Sequence, residues 1–275
     1  MKEQGAPKIT IITVVWNDAL NLCKTIASVL TQSYPNKEFI IIDGGSTDDT
    51  LSVIKSNVEN LSHWQSEPDR GIYDAMNKGL ASATGDYVNF LNAGDKFAHR
   101  QVLSQIAEEI TRTSADIIYG QSLHKNSDRT DGYIKGSRIT RRALVRTVPF
   151  CHQALFTKRT LFETIGLYDL NYPIAADYDW MLRYSKSRSI ERMHFVPTIV
   201  VEYNSEGFSF RNISRSVVER KRLTDTHFKN KFRLQRNANY LIDLFRVWTV
   251  KRLAQSGLIH CYRRLKYYRR STAQS

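Results

Sequence analysis

Residues 8–15, KITIITVV (Lys8–Val15), decide how the rest of the chain is read. A continuous β-branched run without alternation is the pattern of a parallel strand buried on both faces, which needs helices packed above and below it. The next residues supply one helix: Asp18 stands at a capping position, and Leu22, Ile26, Val29 and Leu30 recur at helical spacing. The unit then repeats. Phe39–Ile42 (FIII) reads as a second buried strand closing on Asp43-Gly44-Gly45-Ser46, with Thr47 as the expected cap of a helix carrying Leu51, Ile54 and Val58. His63–Ser66 reads as a short strand, and Tyr73–Ala83 as a helix closing on Gly85 as a left-handed cap. Tyr87–Leu91 reads as a strand ending in Asn92-Ala93-Gly94-Asp95, followed by a helix near Arg100–Arg112 and a strand over Asp116–Gly120.

Strands alternating with single helices predict an α/β fold, an open and mainly parallel Rossmann-like sheet flanked by helices with right-handed crossovers. In such sheets ligands bind beyond the carboxyl ends of the strands. Polar residues gather at those ends: Asn17, then Asp43, then Glu67 and Asp69, then Asn92 and Asp95. Residues 121–205 are less regular, with a strand over Cys151–Thr157, a helix from Ala175-Ala176-Asp177-Tyr178-Asp179-Trp180 to about Ser187, and a strand over His194–Val201.

Composition divides the chain in two. Residues 1–207 hold 23 Lys/Arg against 24 Asp/Glu, whereas residues 208–275 hold 17 against 3, a balance of +14. This pattern predicts a near-neutral body over 1–207 and a basic helical segment over 208–275 that seeks an anionic surface. No run of 18 apolar residues exists in the 275-residue chain, so no membrane span is expected, and residues 1–8 lack the layout of a signal peptide. Cys23, Cys151 and Cys261 are odd in number and far apart, which argues against a disulfide framework or zinc site and suits a reducing compartment.

The strand-end clusters carry the chemistry, each with a plainer alternative. Asp43 beside Gly44-Gly45 suits a nucleobase or ribose edge, or simply caps a turn. Asn92 and Asp95 offer hard oxygen donors for Mg²⁺ or Mn²⁺ at a diphosphate, or form an ordinary turn. Asp69 and Arg70 stand where they reach a donor, or belong to a capped helix with a solvated face. Asp177 at a helix start suits a general base, or satisfies the helix dipole together with Asp179, which points elsewhere. His152 has no nearby partner that would make it a metal ligand.

Taken together and in order, these stretches resemble the family 2 glycosyltransferases of the GT-A fold, over about 70% of the chain from Lys8 to Tyr203. The resemblance rests on Ile12–Asn17, Ile42–Asp48, Ser66–Gly79, Phe90–Asp95, His152-Gln153-Ala154 and Ala176-Asp177-Tyr178. The SEPDRGIYDAMNKG and HQA stretches look most like a bacterial exopolysaccharide (colanic-acid-like) subgroup. The resemblance implies an inverting hexosyltransferase using a UDP- or GDP-sugar donor and a divalent cation (Mg²⁺ or Mn²⁺). Thr13, Asn17, Asp43, Asp69, Arg70 and Asn92 would then serve the donor, Asp95 the metal, and Asp177 the acceptor hydroxyl as base. Two departures stand out: the second Asp of the usual Asp-x-Asp is Gly94, and the Glu-Asp pair at the base is Ala176-Asp177.

From Asn239 to Tyr268 apolar residues (Leu241, Leu244, Phe245, Trp248, Leu258, Ile259, Tyr262, Leu265) interleave with Arg and Lys, as in amphipathic helices lying on an anionic membrane. Peripheral attachment to the cytoplasmic face of the inner membrane, with a lipid-linked saccharide acceptor, is the expectation; a helix packed on the body is the alternative. No nucleic-acid-binding motif accompanies the charge. A nucleotidyltransferase would carry a glycine-rich basic loop where this chain has Trp16-Asn17-Asp18-Ala19. A catalytically inactive, nucleotide-binding membrane scaffold draws its support from Gly94.

Overall fold

The computed structural model describes residues 5–125, 132–146, 148–205, 207, 212–229 and 232–255. The first half alternates as expected: β1 (Ile9–Val15), α1 (Ala19–Leu30), β2 (Lys37–Asp43), α2 (Thr50–Lys55), β3 (His63–Ser66), α3 (Ile72–Ser82) and β4 (Tyr87–Phe90). These strands pair in parallel in the order β3-β2-β1-β4. Every residue of β1 is buried because the sheet separates two apolar layers. Ile12 and Val14 face one layer with Tyr73, Met76 and Phe90, while Ile9, Ile11 and Val15 face the other with Leu22, Ile26 and Val29 of α1. Burying such a side chain contributes roughly 1.5–3 kcal/mol, and both faces of β1 gain it.

The second half is β5 (Lys96–Phe97), α4 (Val102–Thr113), β6 (Ile117–Lys125), β7 (Gly132–Lys135), α5 (Arg141–Arg146), β8 (Leu155–Lys158), α6 (Thr160–Thr164), α7 (Ala176–Ser187) and β9 (Met193–Asn204), followed by α8 (Ile213–Phe228) and α9 (Arg233–Gln255). Strand β8 enters antiparallel between β4 and β6, β9 runs parallel to β6, and β5 and β7 add antiparallel edges. The result is a mainly parallel sheet with helices on both faces. Helices α8 and α9 pack on each other, α8 also on α7 and α9 on α5.

Local details differ from the sequence reading. Helix α2 begins at Thr50, where the Asp48 carboxylate accepts the Thr50 amide at 3.0 Å, and Thr47 lies ahead of it with its own amide donated to Asn17 Oδ1 at 2.8 Å. Helix α3 ends on an extended Ala83; Gly85 instead lets the chain pass Thr10, whose Oγ1 would lie 2.5 Å from any added Cβ. Residues His152–Ala154 form a 3-10 turn, so β8 starts only at Leu155. Among the described residues no helix is long and apolar enough to cross a membrane. Of the interleaved C-terminal residues, Leu258, Ile259, Tyr262, Leu265 and the basic residues from Arg263 onward lie outside the described residues.

Candidate active site

At the carboxyl end of β2, Asp43 is fully buried and organises its loop. It accepts bonds from the Ser46 amide (3.0 Å), the Ser46 hydroxyl and the Ser66 hydroxyl (2.6 Å). Asn17, at the end of β1 and in a left-handed conformation (φ 49°), ties that loop across: its amide donates to Ser46 Oγ at 2.7 Å. Gly44 lies close to Asp69; a Cβ there would sit 2.5 Å from Asp69 Oδ2, so a larger residue would push that carboxylate from its present place. Beside it Trp16 is 68% exposed, an uncovered aromatic face next to Gly44 that the sequence reading gave no role. Thr13 is not brought to this surface. It is buried, and its hydroxyl donates to the Leu91 carbonyl at 2.7 Å, bracing β1 against the end of β4.

The loop after β3 is held by charge. Arg70 pairs with Asp74 at 2.7 Å, and Lys78 with Glu67 at 2.6 Å. The guanidinium of Arg70, the largest influence on Asp74, holds that carboxyl below its ordinary value. Asn77 braces the site: its side chain donates to the Tyr168 carbonyl (3.0 Å) and accepts the Tyr168 amide (3.1 Å).

The turn after β4 departs from an Asp-x-Asp for a visible reason. Gly94 sits at φ +94°, a left-handed conformation in which an Asp side chain would be strained, and its amide donates to Thr25 Oγ1 at 3.0 Å. The bend turns Asp95 inward, where it is 4% exposed and accepts the Asn204 amide at 2.9 Å. Burial pushes its carboxyl up to about 8, against the opposing hydrogen bonds from Asn204 and Gln153. Asn92 keeps a buried Oδ1 that has no hydrogen-bond partner among the described residues. Such an unpaired hard oxygen fits a divalent cation. Among the described residues no three His, Cys, Asp or Glu side chains group closely enough to hold one alone.

A cavity of about 300 Å³ opens beside this turn, and Asn92, His152 and Asp177 all line it. Asp177, in the first turn of α7, accepts through Oδ1 the Tyr73 hydroxyl at 2.9 Å and the Tyr178 amide at 2.8 Å. Among the described residues its Oδ2 carries no hydrogen bond, so one carboxylate oxygen is fixed and the other remains available. Burial first, and then the charge of Asp177, raises the Tyr73 hydroxyl well above its ordinary value, so it stays a donor. His152 pairs with the Tyr168 hydroxyl at 2.7 Å and stacks on Phe90; burial pushes it down, which keeps it neutral beside the carboxylate. Asp179 points the other way, onto Arg183 (2.8 Å) and His227 (2.9 Å). Tyr73, Tyr203 and Arg220 of this cavity were missed at the sequence level. Nothing in local spacing marks an aromatic residue as facing a cavity and not a core.

The arrangement thus joins a loop cluster at the ends of β1–β3, an oxygen-bearing turn after β4, and a carboxylate across a cavity. Known proteins resemble the chain as a whole. An uncharacterized glycosyltransferase of Mycobacterium tuberculosis is 34% identical over 233 residues, 83% of this chain and 87% of that one. A PGL/p-HBAD biosynthesis glycosyltransferase of Mycobacterium bovis is 32% identical over 222 residues, 78% and 82% of the two chains. Among solved structures, S. aureus TarS 1–349 in complex with UDP-GlcNAc superposes with a TM-score of 0.64 at 16% identity, covering 81% of this chain and 67% of that one. The full TarS chain is longer, and this chain spans 40% of it. The mannosyltransferase PcManGT from Pyrobaculum calidifontis, in complex with GDP-Man and Mn²⁺, superposes with a TM-score of 0.61 at 18% identity, covering 98% and 84%. These likenesses establish the GT-A fold. The family model described as glycosyl transferase family 2 matches residues 10–185, from β1 through α7 and so through Asp177, and this chain belongs to that family.

Proposed function

We propose that the chain is an inverting glycosyltransferase that moves a hexose from a UDP- or GDP-sugar to a hydroxyl of a lipid-linked saccharide, in bacterial surface polysaccharide assembly. The observation that carries this reading is Asp177: a carboxylate with one oxygen immobilised and the other available, on the wall of a cavity that also reaches Asn92. The nucleotide would rest on the Asn17–Asp43–Asp69 loops, with Trp16 and Arg70 at their rim and Thr13 bracing from below. The acceptor hydroxyl would enter the cavity and give its proton to Asp177 as its oxygen attacks the anomeric carbon. The bond to the diphosphate breaks on the opposite face, which inverts the configuration. Asn92 and Asp95 would hold a Mg²⁺ or Mn²⁺ ion, which when bound offsets the charge that builds on the departing diphosphate. The UDP-GlcNAc in TarS and the GDP-Man with Mn²⁺ in PcManGT support this donor class.

The described part of the C-terminal segment supports a membrane-surface site. Leu234, Leu241, Phe245 and Trp248 of α9 follow one helical stripe and are 87, 64, 67 and 55% exposed, with Arg252 over the Trp248 ring. The cytoplasmic face of the inner membrane would provide both this anionic surface and the lipid-linked acceptor.

Purified protein incubated with a panel of UDP- and GDP-sugars, Mn²⁺ and a membrane lipid extract tests the assignment. Transfer with inversion that disappears in Asp177→Asn is expected; undiminished transfer by that variant would remove the base. The inward turn of Asp95 favours a second reading, an inactive nucleotide-binding scaffold on the membrane. Calorimetric binding of UDP or GDP without turnover of any donor would support it.

A further inference from the structure

We propose that Glu219, on helix α8 of the basic C-terminal segment, is a positioning residue for the base. This rests on the reading of Asp177 as that base. Helix α7, which carries Asp177 in its first turn, has no side-chain cap of its own at Ala175. Helix starts leave amides without intrahelical partners. Here the amides just ahead of the helix, on Ile174 and Ala175, both donate to Glu219 Oε2, at 2.9 and 3.1 Å. Ile174, Ala175 and Glu219 are all buried, so the carboxylate stands where water would otherwise be needed.

The Ile174 residue is held from both sides. Its amide goes to Glu219, and its carbonyl lies 3.1 Å from the Tyr73 hydroxyl, the same hydroxyl that reaches Asp177 at 2.9 Å. Ile174, Ala175, Tyr73 and Asp177 all line the cavity. The Glu219 carboxylate therefore sets the path of the chain three residues before the base, and its other oxygen is steadied by Arg215 at 3.4 Å. Helix α8 grips α7 a second time, where His227 meets Asp179 at 2.9 Å. The C-terminal segment is thus part of the machinery that aims the base, in addition to any role at a membrane.

Displacing a reacting group by about 1 Å costs on the order of 10²-fold in rate. The test compares full-length Glu219→Ala and Glu219→Gln with the unsubstituted chain, using whichever donor the panel identifies, a membrane lipid extract as acceptor, and calorimetric titration of UDP and GDP. The nucleotide loops lie at the ends of β1–β3, away from this contact. The expected result is a fall in kcat on the order of 10²-fold for Glu219→Ala, with nucleotide affinity and donor KM unchanged. Glu219→Gln, whose amide oxygen still accepts, should recover part of the rate. Normal kcat in both variants, or a parallel loss of nucleotide affinity and kcat in both, would overturn the proposal. Asp177→Asn measured alongside separates the two claims. Normal turnover by Asp177→Asn removes the base and the positioning role with it, whereas an inactive Asp177→Asn beside a fully active Glu219→Ala removes only the positioning role.

Discussion

The Tyr73 hydroxyl meets the Asp177 carboxylate at 2.9 Å across 104 residues of sequence. Tyr73 belongs to α3, in the half that carries Asn17, Asp43 and Asp69, and Asp177 to α7 of the other, so this contact joins the two halves of the candidate site. It fixes one oxygen of the Asp177 carboxylate, the proposed base, on the wall of the cavity.

Tyr73→Phe keeps the ring packed against Tyr168 and removes the hydroxyl that meets both Asp177 and the Ile174 carbonyl. A hydrogen bond to a charged group contributes about 1.5–3 kcal/mol, which corresponds to roughly 10- to 100-fold. We expect kcat to fall by about tenfold or more while UDP or GDP affinity is retained, measured by steady-state kinetics and calorimetry.

Glu38 anchors the opposite edge of the sheet. Its carboxylate accepts Thr10 Oγ1 (2.5 Å), the Thr84 amide (2.8 Å) and Lys8 Nζ (3.1 Å), joining β1, β2 and the approach to β4. These hydrogen bonds outweigh the opposing effect of burial and hold its carboxyl down at about 2. A depressed carboxyl contributes stability that is fully present above its unfolded value, near 4.3, and is lost as pH falls from there toward about 2. Glu38→Gln should cost about 3 kcal/mol at pH 7 and flatten this acid limb, as read from denaturant midpoints between pH 2 and 7. Unchanged midpoints would remove Glu38 as an anchor.

Asp95 predicts the opposite slope. With its carboxyl raised to about 8, the folded chain holds a proton that the unfolded chain has lost between roughly pH 4 and 8, so stability falls as pH rises through that window. Without metal, Asp95→Asn should match the unsubstituted chain at pH 4 and melt several degrees higher at pH 8. If Asp95 holds the cation, Mn²⁺ with UDP or GDP should raise the unsubstituted midpoint at pH 8 and raise that of Asp95→Asn less. Equal gains would place the ion elsewhere.

The exposed stripe of α9 makes a separate prediction. Phe245→Ser with Trp248→Ser removes two neighbouring rings, 5.8 Å apart, from an otherwise solvent-facing stripe. Partition onto phosphatidylglycerol vesicles in a sedimentation assay should fall at least tenfold, because each large apolar side chain contributes roughly 1.5–3 kcal/mol on burial. Binding that persists in the double variant would assign attachment to other residues.

The alternating strands and helices of the first half, the gathering of Asn17, Asp43, Asp69, Asn92 and Asp95 near strand ends, and the placement of Asp177 at a helix start were all legible in the sequence. Each depends on near neighbours: β-branched runs, helical spacing, and the rule that loops after parallel strands open on one edge. Three-dimensional packing decided the rest. That Asp95 turns inward to Asn204, 109 residues away, that β8 runs antiparallel, that Tyr73 reaches Asp177, and that Glu219 holds Ile174 from 45 residues on are contacts between distant segments. Side-chain periodicity records which face of an element is buried, not which distant residue will meet it there.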